Sequence, residues 1–220
     1  MGLFFRLHKL HGIKQRLRKY ERFISVIKPT PEDAILDIGA TDKEVFEYQN
    51  LLETKYPYPQ KITALVVEDL SKFKEKYPEV KTAKYDGKKF PFEDNSFDIA
   101  FSNAVLEHVG NLEEQAFFLS EVARVCKCGM ITTPNRYFPI ETHTHVLFGG
   151  YLPRRFFYAL LRIFKGHEHE PGKTQFDSIR LLSRREFRRV FNMAGINKVE
   201  ITRDRFLCFT ATFTAFFESE

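Results

Sequence analysis

From about residue 30 onward, short apolar runs alternate with longer stretches whose apolar residues recur every three or four positions. Ala34-Ile35-Leu36-Asp37-Ile38-Gly39 reads as a first buried strand, introduced by the turn signal Pro29-Thr30-Pro31-Glu32-Asp33. Further strands are predicted over Ile62 to Val67, Val80 to Tyr85, Phe97 to Ser102 and Gly129 to Thr133, the last stopped by Pro134. Between the last two, Asn111 with Glu114 forms a capping box for a helix that carries Phe118, Val122 and Val125 on one face. Ser183 with Glu186 opens a second helix, with Phe187, Val190 and Phe191 as its apolar stripe and Gly195 as its end. Two more strands follow at about 197–203 and 207–217. Strand and helix in alternation require a parallel sheet covered on both faces, a doubly wound α/β fold.

At 220 residues and 43% hydrophobic content, the chain is expected to bury one core. The division is a basic N-terminal helical segment, 1–28, and a domain over 29–220, with an inserted lid or substrate-side element at about 136–178 that fits no repeat of the pattern. No apolar run reaches membrane-spanning length and the N-terminus lacks the order of a signal peptide, so a cytoplasmic protein is expected. Arg6 stands where a myristoylation signal wants Ser or Thr. Cys126, Cys128 and Cys208 cannot build a disulfide framework, and their spacing is poor for zinc.

The 34 basic against 29 acidic residues matter through their distribution. They gather in the first 22 residues, in 151–165 and in 180–189. Solvated helix faces are the first reading of these clusters, and an anionic partner the second. Residues 151–165 also have a broad apolar face bordered by cations, suited to a lid helix, a lipophilic substrate or peripheral membrane contact.

The chemistry collects at predicted strand ends. Asp37-x-Gly39 closes the first strand with an acid and a glycine, the start of a turn that brings backbone N–H groups to a charged ligand. Glu68-Asp69 closes the second, where a carboxylate accepts from both hydroxyls of a ribose. Asp86-Gly87 follows the third, an acceptor beside a residue that lets backbone approach a flat ring.

Together with Phe90-Pro91-Phe92, Asp94-x-Ser96-Phe97-Asp98, Val105-Leu106-Glu107-His108-Val109, Glu121-x-x-Arg124-Val125 and Thr133-Pro134-Asn135, these residues resemble the class I S-adenosylmethionine-dependent methyltransferases, in their small-molecule branch. The resemblance spans about residues 30 to 217. It implies a Rossmann-like, mostly parallel seven-stranded sheet with helices on both faces and the last strand antiparallel. It also implies S-adenosylmethionine as cofactor: Gly39 with Ala40 beside it against the methionine part, Asp37 ordering that loop and indirectly the cofactor's amino group, and Asp69 or its neighbour Glu68 on the ribose. Asp86 and Gly87 then meet the adenine, with Ser102 and Asn103 beneath the transferable methyl. The family's second and third loop glycines are replaced here by Thr41 and Lys43.

Methyl transfer from a sulfonium needs mainly alignment, and a hydroxyl acceptor also needs a base. By residue type the candidate catalytic groups are His143 first, then His108 and Glu141. The histidines of Glu141-Thr142-His143-Thr144-His145 stand two apart, which does not suit the common helical zinc spacing, and no metal is expected. A small-molecule or lipid-like acceptor is the expected substrate. Two alternatives stand beside it: a nucleic-acid methyltransferase, from the basic clusters, and a non-catalytic relative, from Thr41 and Lys43.

Overall fold

The computed structural model describes residues 3–42, 44, 48–139, 149–152, 156 and 179–219, with side chains from Gly12 onward. The order is α1 (Leu3–Ile27), β1 (Ile35–Ile38), α2 (Leu51–Lys55), β2 (Ile62–Val66), α3 (Ser71–Lys76), β3 (Lys81–Lys84), β4 (Phe97–Asn103), α4 (Leu112–Val125), β5 (Cys126–Pro134), α5 (Arg184–Met193), β6 (Lys198–Phe206) and β7 (Phe209–Glu218). The strands form one seven-stranded sheet in the order β3-β2-β1-β4-β5-β7-β6. β1 to β5 pair parallel, and β7 runs antiparallel to both β5 and β6. The expected Rossmann-like doubly wound sheet is therefore present.

Both faces of the sheet are covered, by different helices. Phe118, Leu119 and Val122 of α4 and Phe187, Val190 and Phe191 of α5 pack on one face with Leu36, Leu65, Ala100 and Ile131. Phe23 of α1, Leu52 of α2 and Phe73 of α3 pack on the other with Ile35, Ala64, Phe101 and Met130. Phe23 meets Phe101 edge-on at a centroid distance of 5.0 Å, which fixes α1 across the middle of the sheet.

Both predicted capping boxes are formed: Asn111 Oδ1 accepts from the Glu114 N–H at 2.9 Å, and Ser183 Oγ from the Glu186 N–H at 3.2 Å. Gly195 takes φ +80° just past the second of these helices, as its place after the apolar stripe requires. Two strand ends differ from expectation. β5 begins at Cys126, directly after Val125 of α4, because the buried Cys126 pairs with Phe97 and extends the ladder through a Cys-Lys-Cys stretch with no hydrophobic alternation. β6 continues through the charged Arg203-Asp204-Arg205 to Phe206, since Asp204 is buried and paired while both arginines face solvent.

Candidate active site

Strand order reverses direction between β1 and β4, so the crevice beyond their carboxyl ends is where an open sheet of this kind receives a ligand. Gly39 stands at the mouth of that crevice, immediately after β1, with φ +104°. A Cβ there would come within 2.3 Å of Val105 Cγ2, so the bend needs glycine for its dihedral and for the close approach of the loop after β4.

Beyond Gly39 the loop is held by side chains in place of further glycines. Asn50, almost fully buried, accepts from the Thr41 N–H at 3.0 Å and donates to the Thr41 carbonyl at 2.8 Å and to Glu44 Oε1 at 2.9 Å. Asp42 accepts from the backbone N–H groups of Lys72 and Phe73 at 3.2 and 2.8 Å, closing the start of α3. These N–H groups, that of Phe73 first, hold the Asp42 carboxyl below its usual range. Thr41, one of the two departures from the family's loop, is thus accommodated by a two-way amide clamp; Lys43, the other, lies outside the described residues. Removing the clamp with Asn50→Ala is expected to cost about 2 kcal/mol of stability in urea denaturation, since a buried amide loses its hydrogen bonds and its partners keep theirs unmade. A change below about 0.5 kcal/mol would show that the loop holds itself.

Asp37 lies under this loop, buried, on the same face of the sheet as α2. Its carboxyl is pushed well above the usual carboxylate range, first by burial and then by the negative charge of Glu53 on α2. Glu53 is itself buried, and burial raises its carboxyl as well. Ala40 is half-buried and packs on the same side.

After β2, Val67, Glu68 and Asp69 are all exposed. Asp69 reaches Lys84 at 3.2 Å, yet its side chain remains 90% exposed. Asp86 accepts from the Lys88 N–H at 2.9 Å, and Gly87 follows at φ +84° with Val67 beside it: a Cβ at Gly87 would lie 3.8 Å from Val67 Cγ1. Gly87, Lys88 and Lys89 then face Val109, Glu113 and Phe117 across a groove of about 460 Å³.

At the end of β4, Ser102 is fully buried and its hydroxyl has no partner among the described residues, whereas Asn103 is half-buried. Asn103 Oδ1 accepts from Thr132 Oγ1 at 2.7 Å and from Lys19 Nζ of α1 at 3.2 Å. Burial pulls the Lys19 ammonium below the usual lysine range, against the pull of Asp204 and Glu107. Arg22, one helical turn on, bonds Asp204 at 2.9 Å and Thr202 at 2.6 Å. His108 is exposed in the short 3-10 turn Leu106–His108 beyond β4. Glu141 and His143, like most of the 151–165 segment, lie outside the described residues.

Residues 36–131 match the family described as Methyltransferase domain. Over that segment the chain is similar to methyltransferase domains. Solved structures of methyltransferases share the fold of this chain. An S-adenosylmethionine-dependent methyltransferase from Aquifex aeolicus aligns over 93% of this chain and 89% of its own, at 14% identity and a TM-score of 0.55. The CurJ carbon methyltransferase aligns over 89% of this chain at 14% identity and a TM-score of 0.55, and this chain spans only half of its length. The N-terminal domain of EvdMO1, solved with SAH bound, aligns over 94% of this chain and 80% of its own, at 16% identity and a TM-score of 0.54. Among curated proteins none matches the sequence.

The structure brings Gly39, Asp69, Asp86 and Gly87 to the carboxyl ends of three neighbouring strands. Sequence reasoning missed Val67, Asn50, Glu53 and Lys19. An acid inside the apolar Leu51-Leu52-Glu53 run was a readable sign for Glu53, and the three-residue spacing of Arg16, Lys19 and Arg22 was one for Lys19. Val67 and Asn50 carry no such sign, since each looks like an ordinary loop residue. No described helix is long and apolar enough to cross a membrane, and no group of metal ligands assembles among the described residues.

Proposed function

We propose that the chain transfers a methyl group from S-adenosylmethionine to a small-molecule or lipid-like acceptor. One observation carries this reading: the glycine bend after β1, the accessible carboxylate after β2 and the Asp86–Gly87 turn after β3 stand at the carboxyl ends of three adjacent parallel strands, the edge of such a sheet where a nucleotide-like ligand is received. The residues fit that group. Gly39 leaves room at the tail, Asp69 offers two acceptor oxygens to ribose hydroxyls, and exposed Val67 with Gly87 forms an apolar bed for adenine while Asp86 accepts from its amine. The cofactor supplies a methyl carbon already activated by a sulfonium. What remains for the chain is to align the acceptor and exclude water.

Two features support a small or lipid-like acceptor. The groove beside Gly87 has Val109, Phe117 and Phe118 on its wall, suited to an apolar body. The basic face of α1 is partly spent inside the molecule, with Lys19 on Asn103 and Arg22 on Asp204 and Thr202, which lowers the charge left for a phosphate backbone. For a hydroxyl acceptor the base is drawn from His143, His108 and Glu141.

Isothermal calorimetry with S-adenosylmethionine and S-adenosylhomocysteine tests the reading. Saturable one-to-one binding is expected, weakened about tenfold or more by Asp69→Ala through the lost ribose hydrogen bonds. No heat at ligand concentrations on the order of millimolar would overturn it. Salt-sensitive retention of RNA would instead favour a nucleic-acid acceptor.

A further inference from the structure

The hairpin between β6 and β7 turns through Leu207 and Cys208. Leu207 takes φ +53°, a left-handed backbone that glycine or asparagine adopts at less cost, and it is 80% exposed. Phe209, which pairs with Phe206 across the turn, is 44% exposed. The fold gains nothing from an aliphatic residue at this tip: Leu207 buries little surface and strains its own backbone.

The tip stands at the end of the sheet where the crevice opens. Pro134, the last residue of β5, pairs with Thr212, so β7 begins beyond the carboxyl end of β5. There the Asn135 N–H donates to the Ala211 carbonyl at 2.9 Å and its side-chain amide to the Thr210 carbonyl at 2.8 Å. Buried Phe138 meets Phe206 at a centroid distance of 6.2 Å, and Tyr137 beside it is exposed.

Cations border this apolar tip. Arg203 and Arg205 of β6 are exposed, and Gln15 of α1 donates to the Arg205 carbonyl at 2.8 Å, which brings the exposed Lys14 and Arg18 of that helix alongside. None of the four has an ion-pair partner among the described residues. Asp204 is buried and held by Arg22, Thr212 and Thr214, and Glu186 pairs with Arg136 at 3.6 Å. Residues 12–20, 132–139 and 205–217 contain no acid.

An aliphatic tip ringed by cations matches an anionic lipid surface on both counts, since headgroups answer the cations and acyl chains take Leu207. A polyanion such as RNA leaves the aliphatic residue in water, and a second copy set face to face brings the same cations together. We infer that the β6–β7 tip docks this protein on an anionic membrane surface, with Leu207 and Phe209 entering the headgroup layer and Arg203, Arg205, Lys14 and Arg18 resting on the phosphates. The inference needs no bound cofactor. Docking in this way turns the carboxyl ends of β4 and β5 toward the bilayer; that a lipid-like acceptor enters from there rests on the methyl-transfer reading above.

Co-sedimentation of the full chain with vesicles of phosphatidylcholine alone, and of phosphatidylcholine and phosphatidylserine in equal parts, tests the inference. Binding to the mixed vesicles is expected, weakening as salt rises, with little binding to phosphatidylcholine alone. Leu207→Gly is expected to lower the partition coefficient about tenfold or more while its thermal transition stays level or rises. Arg203→Gln with Arg205→Gln lowers it about twentyfold, roughly fivefold for each cation. The chain contains no tryptophan, so Leu207→Trp places a single reporter at the tip. Its emission is expected to shift to the blue on mixed vesicles and to be quenched by lipid brominated in the acyl chains.

No sedimentation with mixed vesicles, or sedimentation that leaves the Leu207→Trp emission unmoved, overturns the inference. A dimer in sedimentation velocity that Leu207→Gly dissolves assigns the tip to a second copy and overturns it too. RNA retention that is lost in Arg203→Gln with Arg205→Gln, without vesicle binding by the parent, assigns it to nucleic acid. Should Leu207→Gly fail to fold, the Leu207→Trp emission decides. Calorimetry with S-adenosylhomocysteine reads the cofactor assignment separately, so either conclusion can fail alone.

Discussion

Gly39→Ala is expected to lower the free energy of unfolding by about 2–4 kcal/mol and to abolish measurable cofactor binding. The two parts of that cost are separable. An L-residue held at φ +104° carries backbone strain of about 1–3 kcal/mol. The added methyl must also displace Val105 Cγ2, which would stand 2.3 Å away, and overpacking of this kind costs about 1–3 kcal/mol. The double variant Gly39→Ala with Val105→Ala therefore recovers the packing part and retains the backbone part. Urea denaturation measures both, with an unchanged slope as the sign that only stability moved. If the single variant lies within about 0.5 kcal/mol of the parent, the bend does not need glycine and the tight approach of the loop after β4 is not a constraint.

The second large effect is expected at Arg124, which ties the loop between β3 and β4 to α4. Its guanidinium holds Glu121 through two bonds of 2.8 and 2.7 Å, Asp94 at 2.9 Å, and the carbonyls of Phe92 and Phe90 at 2.8 and 3.2 Å. Glu121 in turn accepts from the Phe90 N–H at 2.8 Å. Breaking a buried pair costs about 3–5 kcal/mol, and because Arg124 keeps some solvent contact, Arg124→Met is expected to cost about 2–3 kcal/mol at neutral pH.

The pH dependence carries a definite sign. In the parent, hydrogen bonding to Arg124 holds the Glu121 carboxyl below its ordinary value of 4.5. A depressed acid stabilises the fold above its unfolded pKa and loses that contribution as pH falls through the folded one. Without Arg124 the largest of these lowering influences is gone and only the Phe90 N–H and Lys89 remain against burial, so most of that pH-dependent contribution is absent. The penalty of Arg124→Met is thus expected to be smaller at about pH 4 than at pH 7, by about 1 kcal/mol or more. A penalty independent of pH would mean that the backbone carbonyls, and not Glu121, are what Arg124 secures.

The motif Glu121-x-x-Arg124 shows where sequence reading stops. It was legible as part of a family resemblance, yet its physical work, anchoring Phe90, Phe92 and Asp94, appears only when α4 is laid against that loop. The same holds for the loop after β1. Thr41 and Lys43 read as losses from a glycine-rich turn, and for Thr41 the structure shows a different solution: backbone that cannot rely on glycine is clamped by Asn50. Asn103 was legible as the residue that follows the predicted fourth strand, but the orientation of its amide was not, because the cation that orients it comes from a helix 84 residues away.

By itself the sequence determined the alternation of strand and helix, both capping boxes and the positions of Gly39, Asp69, Asp86 and Gly87, since these depend on local periodicity, turn dihedrals and side-chain type within a few residues. Only the tertiary structure decided that Lys19 reaches Asn103, that Glu53 stands beside Asp37 and that Val67 lies against Gly87. Burial and charge pairing across strands and helices depend on distances that chain position does not encode.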